Sequence, residues 1–189
     1  MKIKFVTKNL VSMLNVQSLF KALGIDVKYD FLNSLSNIDS KNFNGINMAL
    51  YKLDCLLKTD ENLNEDDYIM VEEEVFKFFE KDGIHKINYD GDEIDCYKAK
   101  IYSLIALSNK DNPIKLVSNG VFEGYIPVED SKYVNIDTYK HYFMFKDGKK
   151  YRTITDDSVD NYFLQKKNHQ GKAIFGMITQ ISMSNLKIK

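Results

Sequence analysis

Two long runs rich in β-branched and aromatic residues, 97–108 and 114–128, are separated only by Asn109-Lys110-Asp111-Asn112-Pro113. That pentapeptide is turn chemistry, and apolar runs of this length on either side of it predict a long antiparallel hairpin. Any fold for the chain has to be built around this hairpin.

The N-terminal third follows a different pattern. Residues 2–7 alternate charged and apolar side chains and stop at Thr7-Lys8-Asn9, after which Leu10, Leu14, Leu19, Phe20 and Leu23 follow helical spacing up to Gly24. Gly24 suits the left-handed position that closes a helix, and 25–29 reads as a second strand. Strand, helix and strand in this order predict a parallel pair.

A polar loop over 33–42 leads to Phe43, Ile46, Leu50, Leu53 and Leu57, whose spacing marks an amphipathic helix. After an acidic linker over 60–67, residues 68–71 read as a buried strand. Glu72-Glu73-Glu74 and a Phe-rich helix over 75–80 follow, ending at Asp82-Gly83. Carboxylates would then sit at the C-terminal end of a strand, where open α/β sheets bind ligands. Farther on, 139–145 predicts another strand and Asp147-Gly148 a turn. Asp157 or Ser158 would cap a short helix, and Asn168-His169-Gln170-Gly171-Lys172-Ala173 opens a terminal helix over 171–182. The class is α/β, with a mixed twisted sheet, flanking helices and a long hairpin. One domain over 1–189 is expected, since no linker is long enough to divide it.

Composition narrows the function. With 189 residues, 44% of them apolar, the chain can bury a sizeable core. Its 26 basic and 27 acidic residues leave a net charge of -1, which gives no global electrostatic case for a nucleic acid polymer or an anionic membrane. The two cysteines, Cys55 and Cys96, lie in apolar stretches and form no disulfide framework, which suits a reducing compartment. No run approaches the roughly 18 apolar residues of a membrane span. These readings together predict a cytoplasmic protein.

Three places carry candidate chemistry. Thr7 and Asn9 stand where a strand turns into a helix, so their side chains and the first helical N–H groups can hold a phosphate, with Lys8 as the nearby cation; an ordinary helix cap uses the same residues. Glu72, Glu73 and Glu74 offer hard oxygen ligands for a divalent metal, and equally suit a solvated acidic helix start. His169 at the terminal helix start is a candidate ligand contact, although a lone His is more often structural.

Taken in order along the chain, these segments resemble the inosine/xanthosine triphosphate pyrophosphatase family. Thr7-Lys8-Asn9 is similar to its Ser/Thr-x-Asn-x-x-Lys turn, which contacts the triphosphate, with Ser12 where the family has Lys. Val71-Glu72-Glu73-Glu74 resembles its Glu/Asp-Asp-Ser/Thr segment, with Glu73 on the Asp that binds metal or activates water. Ala49-Leu50-Tyr51-Lys52 resembles an Ala-x-x-Lys stretch, and Asn47 stands at the metal-associated carboxylate before it. His169-Gln170 resembles Ser-His-Arg with the Arg lost, and 139–145 lies where Phe-Gly-Tyr-Asp-Pro-x-Phe shapes the base pocket, with Tyr142 for the Asp. Between Gly83 and Tyr97 the chain is much shorter than the family pattern.

The resemblance implies two lobes with a cleft between them, a homodimer, Mg²⁺, and hydrolysis of a nucleoside triphosphate to monophosphate and pyrophosphate with altered base specificity. Glu73 and Glu72 would be catalytic, and Glu73, Glu74 and Asn47 would hold the metal. Thr7, Lys8, Asn9, His169, Gln170 and Lys172 would contact phosphate or nucleotide, and Tyr142 and Phe143 the base. The replacements at Ser12, Asn47, Tyr142 and Gln170, with Leu164 where the family has a Lys a few residues before Ser-His-Arg, also suit a second expectation: the same fold kept as a nucleotide-binding, sequestering or partner-binding module with little catalysis.

Overall fold

The computed structural model describes residues 3–7, 14, 16–18, 20, 21, 27–31, 45–59, 67–111, 115–155 and 168–184. Its strands are β1 (Ile3–Thr7), β2 (Val27–Phe31), β3 (Tyr68–Phe79), β4 (His85–Tyr89), β5 (Asp92–Ser108), β6 (Leu116–Pro127), β7 (Met144–Asp147) and β8 (Lys150–Thr153). Three helices are described over their full lengths: α1 (Gly45–Thr59), the single turn α2 (Tyr139–Tyr142) and α3 (His169–Met183). The strands form one mixed sheet in the order β2-β1-β3-β5-β6-β7-β8, with β4 paired beside β5. β1 lies parallel to both β2 and β3, and every other pairing is antiparallel.

The expected hairpin is present as β5 and β6, paired from Cys96 opposite Pro127 to Leu107 opposite Leu116. Alternation along the strands divides the core between two faces. On one face Ile3, Phe5, Met70, Ile105 and Leu107 pack against Ala173, Ile174, Met177 and Ile181 of α3. On the other, Val6, Ile69, Val71, Leu104 and Ala106 pack against Ala49, Leu53 and Leu56 of α1. No helix among the described residues is long and apolar enough to cross a membrane.

The segment after the acidic triplet departs from expectation. No helix covers 75–80: β3 continues through Phe79, pairing with β5 as far as Lys98, and only Glu80–Asp82 turns as a 3₁₀ helix before Gly83. The physical reason lies in Val75-Phe76-Lys77-Phe78-Phe79, a strand-favouring stretch with alternate aromatics on one face. Phe76 and Phe78 pack there beside a core of Ile101, Phe122, Tyr139 and Phe143. The carboxylates therefore stand in mid-strand and not at a strand's end. Residues 139–145 also divide, into the α2 turn and the start of β7. Asp157 and Ser158 lie outside the described residues.

β4 and β5 occupy the short stretch after Gly83 as a tight hairpin. Asp90 and Gly91 form its two-residue turn with φ of 51° and 101°, the left-handed geometry that an Asp-Gly pair supplies.

Candidate active site

Because side chains alternate along β3, Glu72 and Glu74 face α3 while Glu73 faces α1. The triplet is thus split by the sheet it belongs to.

On the α1 face, Glu73 pairs with Lys52, a lysine only 6% exposed. Asn47 is exposed near the start of the same helix. On the α3 face, the parallel register of β1 and β3 brings Thr7 beside Glu72, and the Thr7 hydroxyl donates to Glu72 Oε2 at 3.0 Å. Ser103 on β5 donates to Glu72 Oε1 at 2.7 Å. All three groups are buried.

Two residues farther along β3, Glu74 gathers a second set. The Tyr139 hydroxyl from α2 donates to Oε1 at 2.7 Å. His169 Nε2 and Gln170 Nε2, from the first turn of α3, each lie 3.1 Å from Oε2. Burial works to raise the Glu74 carboxyl's pKa, but the His169 and Tyr139 hydrogen bonds and the positive charges of His169 and Lys140 together hold it below its ordinary value. Burial pushes the Tyr139 phenol up, and the Glu74 and Glu72 carboxylates push the same way, so the hydroxyl remains a donor. Glu74 is accordingly a carboxylate that only accepts.

The start of α3 is fixed from two sides. Asn168 caps the helix, its Oδ1 accepting from the Gly171 N–H at 2.7 Å. From below, the His169 carbonyl presses on Gly120 of β6, where an added Cβ would lie 1.8 Å from the oxygen. The His169 ring is only 4% exposed, and its Nδ1 has no hydrogen-bond partner among the described residues. A buried polar atom left in that state costs about 1–3 kcal/mol.

The geometry brings together Thr7, Glu72, Glu74, His169 and Gln170 from the sequence-predicted set. Glu73 and Asn47 are placed on the opposite face. Lys8 and Asn9 lie outside the described residues. Lys172 points its Nζ to the Val121 carbonyl at 2.8 Å on an exposed surface. Phe143 is fully buried, its ring packed on Phe122 and filling the space left by Gly124, and Tyr142 is half-buried against the same aromatic core. Ser103 and Tyr139 were missed. Their partners are 31 and 65 residues away in sequence, and only the strand register and the α2 turn bring them near the carboxylates.

A metal held by Glu73, Glu74 and Asn47 does not fit this arrangement, since the sheet separates Glu74 from the other two. Among the described residues no group of three or more His, Cys, Asp or Glu side chains is disposed to hold a metal ion.

Comparison with known proteins supplies the fold. No protein-family model and no curated protein matches the sequence. Among solved structures, the Ham1 protein of Staphylococcus aureus is similar over 98% of this chain and 100% of its own, with a TM-score of 0.62 and 16% identity. A nucleoside-triphosphatase described as a dITP/XTP pyrophosphatase, from Mycobacterium abscessus, is similar over 98% of this chain and 99% of its own, with a TM-score of 0.54 and 14% identity. The chain has the Ham1-like, inosine triphosphate pyrophosphatase-like fold.

Proposed function

We propose that this chain is a nucleoside triphosphate pyrophosphatase-like protein that binds its nucleotide on the α3 face of the sheet, with altered base specificity. The observation that carries this reading is the placement of two neighbouring hydrogen-bonded sets on one face of the sheet, Thr7 with Glu72 and, two residues along β3, Glu74 with His169 and Gln170 at the start of α3. The matching fold of a dITP/XTP pyrophosphatase supports it.

In this reading the positive end of the α3 dipole attracts phosphate oxygens. Glu72, held by Thr7 and Ser103, is the carboxylate of the triplet that orients water. Water then attacks the α-phosphorus, its proton passing to Glu72 as the bond to the bridging oxygen breaks and pyrophosphate leaves. The fold implies Mg²⁺ to neutralise the phosphates, but the expected ligands Glu73, Glu74 and Asn47 do not converge on one side of the sheet.

That same disagreement supports a second reading, a module that binds nucleotide and turns it over slowly or not at all. Glu73 is committed to Lys52, and Glu74 to Tyr139, His169 and Gln170. The two readings separate in one assay: pyrophosphate release with Mg²⁺ across canonical, deaminated and modified nucleoside triphosphates. Turnover that is lost in Glu72→Gln supports the enzyme; binding without turnover supports the module; neither binding nor turnover contradicts both.

A further inference from the structure

The sheet curls so that β4 and β8, which share no hydrogen-bonded ladder, come together around Ile87, Cys96 and Met144, with Tyr89, Tyr125 and Tyr151 packed against that core. Where the turns of the two hairpins meet, a groove of about 330 Å³ opens, lined by Asn88, Asp90 and Gly91 on one side and Lys149, Lys150 and Tyr151 on the other. Tight turns hold both walls. Asp90-Gly91 takes left-handed geometry, and Asn88 Oδ1 accepts from the Gly91 N–H at 3.3 Å. Opposite, Gly148 at φ 62° opens the two-residue turn Gly148-Lys149 between β7 and β8. The Tyr151 ring rests edge-on against Tyr125, the centroids 5.8 Å apart.

Lys149 and Lys150 have no hydrogen-bond or ion-pair partner among the described residues, and neither has the Asn88 side-chain nitrogen. Glu93 and Asp147, acids of the same two hairpins, are already paired with Lys86 and Arg152. The lining therefore sets two uncommitted ammoniums and an amide N–H against one carboxylate, Asp90. Such a set takes an anion that also carries a donor: lysine ammoniums hold phosphate as point charges, and an ionised Asp can only accept. Its volume stands at the small end of ligand sites, which suits a phosphate on a sugar-sized body. We propose that the groove is a second ligand site, for a small hydroxylated phosphate monoester: Lys149 and Lys150 hold the phosphate, the Asn88 amide donates to it, and Asp90 accepts from a hydroxyl. The β4–β5 hairpin occupies the stretch after Gly83 that is shorter than the pyrophosphatase family pattern, and the site owes nothing to the nucleotide reading above.

Backbone ¹H–¹⁵N spectra of the ¹⁵N-labelled full chain, titrated with ribose 5-phosphate, inorganic phosphate or ribose, test this. Ribose 5-phosphate should give saturable shifts at the Gly91 and Lys150 amides, with Gly171 at the start of α3 unmoved. Inorganic phosphate should bind the same amides more weakly, and ribose should not bind. Lys149→Gln/Lys150→Gln changes two exposed side chains, so it should fold as the wild type does, and ribose 5-phosphate should bind it about tenfold or more weakly. Asp90→Asn, which keeps a residue that tolerates the left-handed turn, should narrow the preference for ribose 5-phosphate over phosphate, because it removes the hydroxyl's acceptor and a repelling charge together. No saturable shift up to about 10 mM, well beyond the weakest useful affinity, overturns the proposal. So does an affinity unchanged in the double lysine variant, or a response centred on Gly171. Equal affinity for phosphate and ribose 5-phosphate overturns the ester assignment. None of these results depends on whether a nucleoside triphosphate binds the α3 face.

Discussion

Glu74 shows how much one position can carry. Its carboxyl lies below its ordinary pKa, so the native state holds the charged form more strongly than the unfolded chain does. The stabilisation is fully present above the unfolded value of about 4.3 and disappears as pH falls through the lower native value. Unfolding measured from pH 7 to pH 3 should show wild type losing more stability on acidification than Glu74→Gln; parallel profiles would contradict the assignment. Tyr139→Phe removes a buried donor from the same carboxylate and should cost about 1–3 kcal/mol in denaturant unfolding with an unchanged slope. His169 and Gln170 were legible in the sequence as a helix-opening motif. Tyr139 and Ser103 were not, because nothing near either residue in sequence announces a carboxylate partner that folding brings from 65 or 31 residues away.

Among the elements, β3 decides which acids can act together. A two-residue period sends Glu73 to α1 and its neighbours to α3, so Glu73 is a partner for buried Lys52. Glu73→Gln should therefore destabilise the fold by about 1–3 kcal/mol, less than the full cost of breaking a buried pair because Glu73 keeps some contact with water. Thermal unfolding checks this, and a Lys52→Met/Glu73→Leu double variant should recover much of the loss. Gly120→Ala should push α3 off the sheet, since its Cβ would meet backbone and not a flexible side chain, at about 1–3 kcal/mol or more. The sequence predicted the β5–β6 hairpin because composition, length and turn residues agreed. It misled at 75–80, where acids before an aromatic stretch imitate a helix start, and the Phe alternation that favours a strand shows its meaning only once β5 is alongside. The Asp90-Gly91 turn was a readable hairpin signal that the expected family pattern passed over.

For the whole molecule, the mixed sheet and its two apolar faces follow from strand periodicity and helix spacing, and the solved structures share that architecture at 16% and 14% identity. What sequence could not supply is which side of the sheet each polar residue occupies, because that depends on register between strands far apart in the chain. Register gathers the polar groups on the α3 face, the face we propose for a nucleotide. Calorimetric titration of a nucleoside triphosphate panel into wild type and His169→Ala tests this most directly. Saturable binding of at least one nucleotide to wild type, weakened about tenfold or more in His169→Ala, is the predicted result. Equal affinity in the two proteins, or binding by neither, would contradict it.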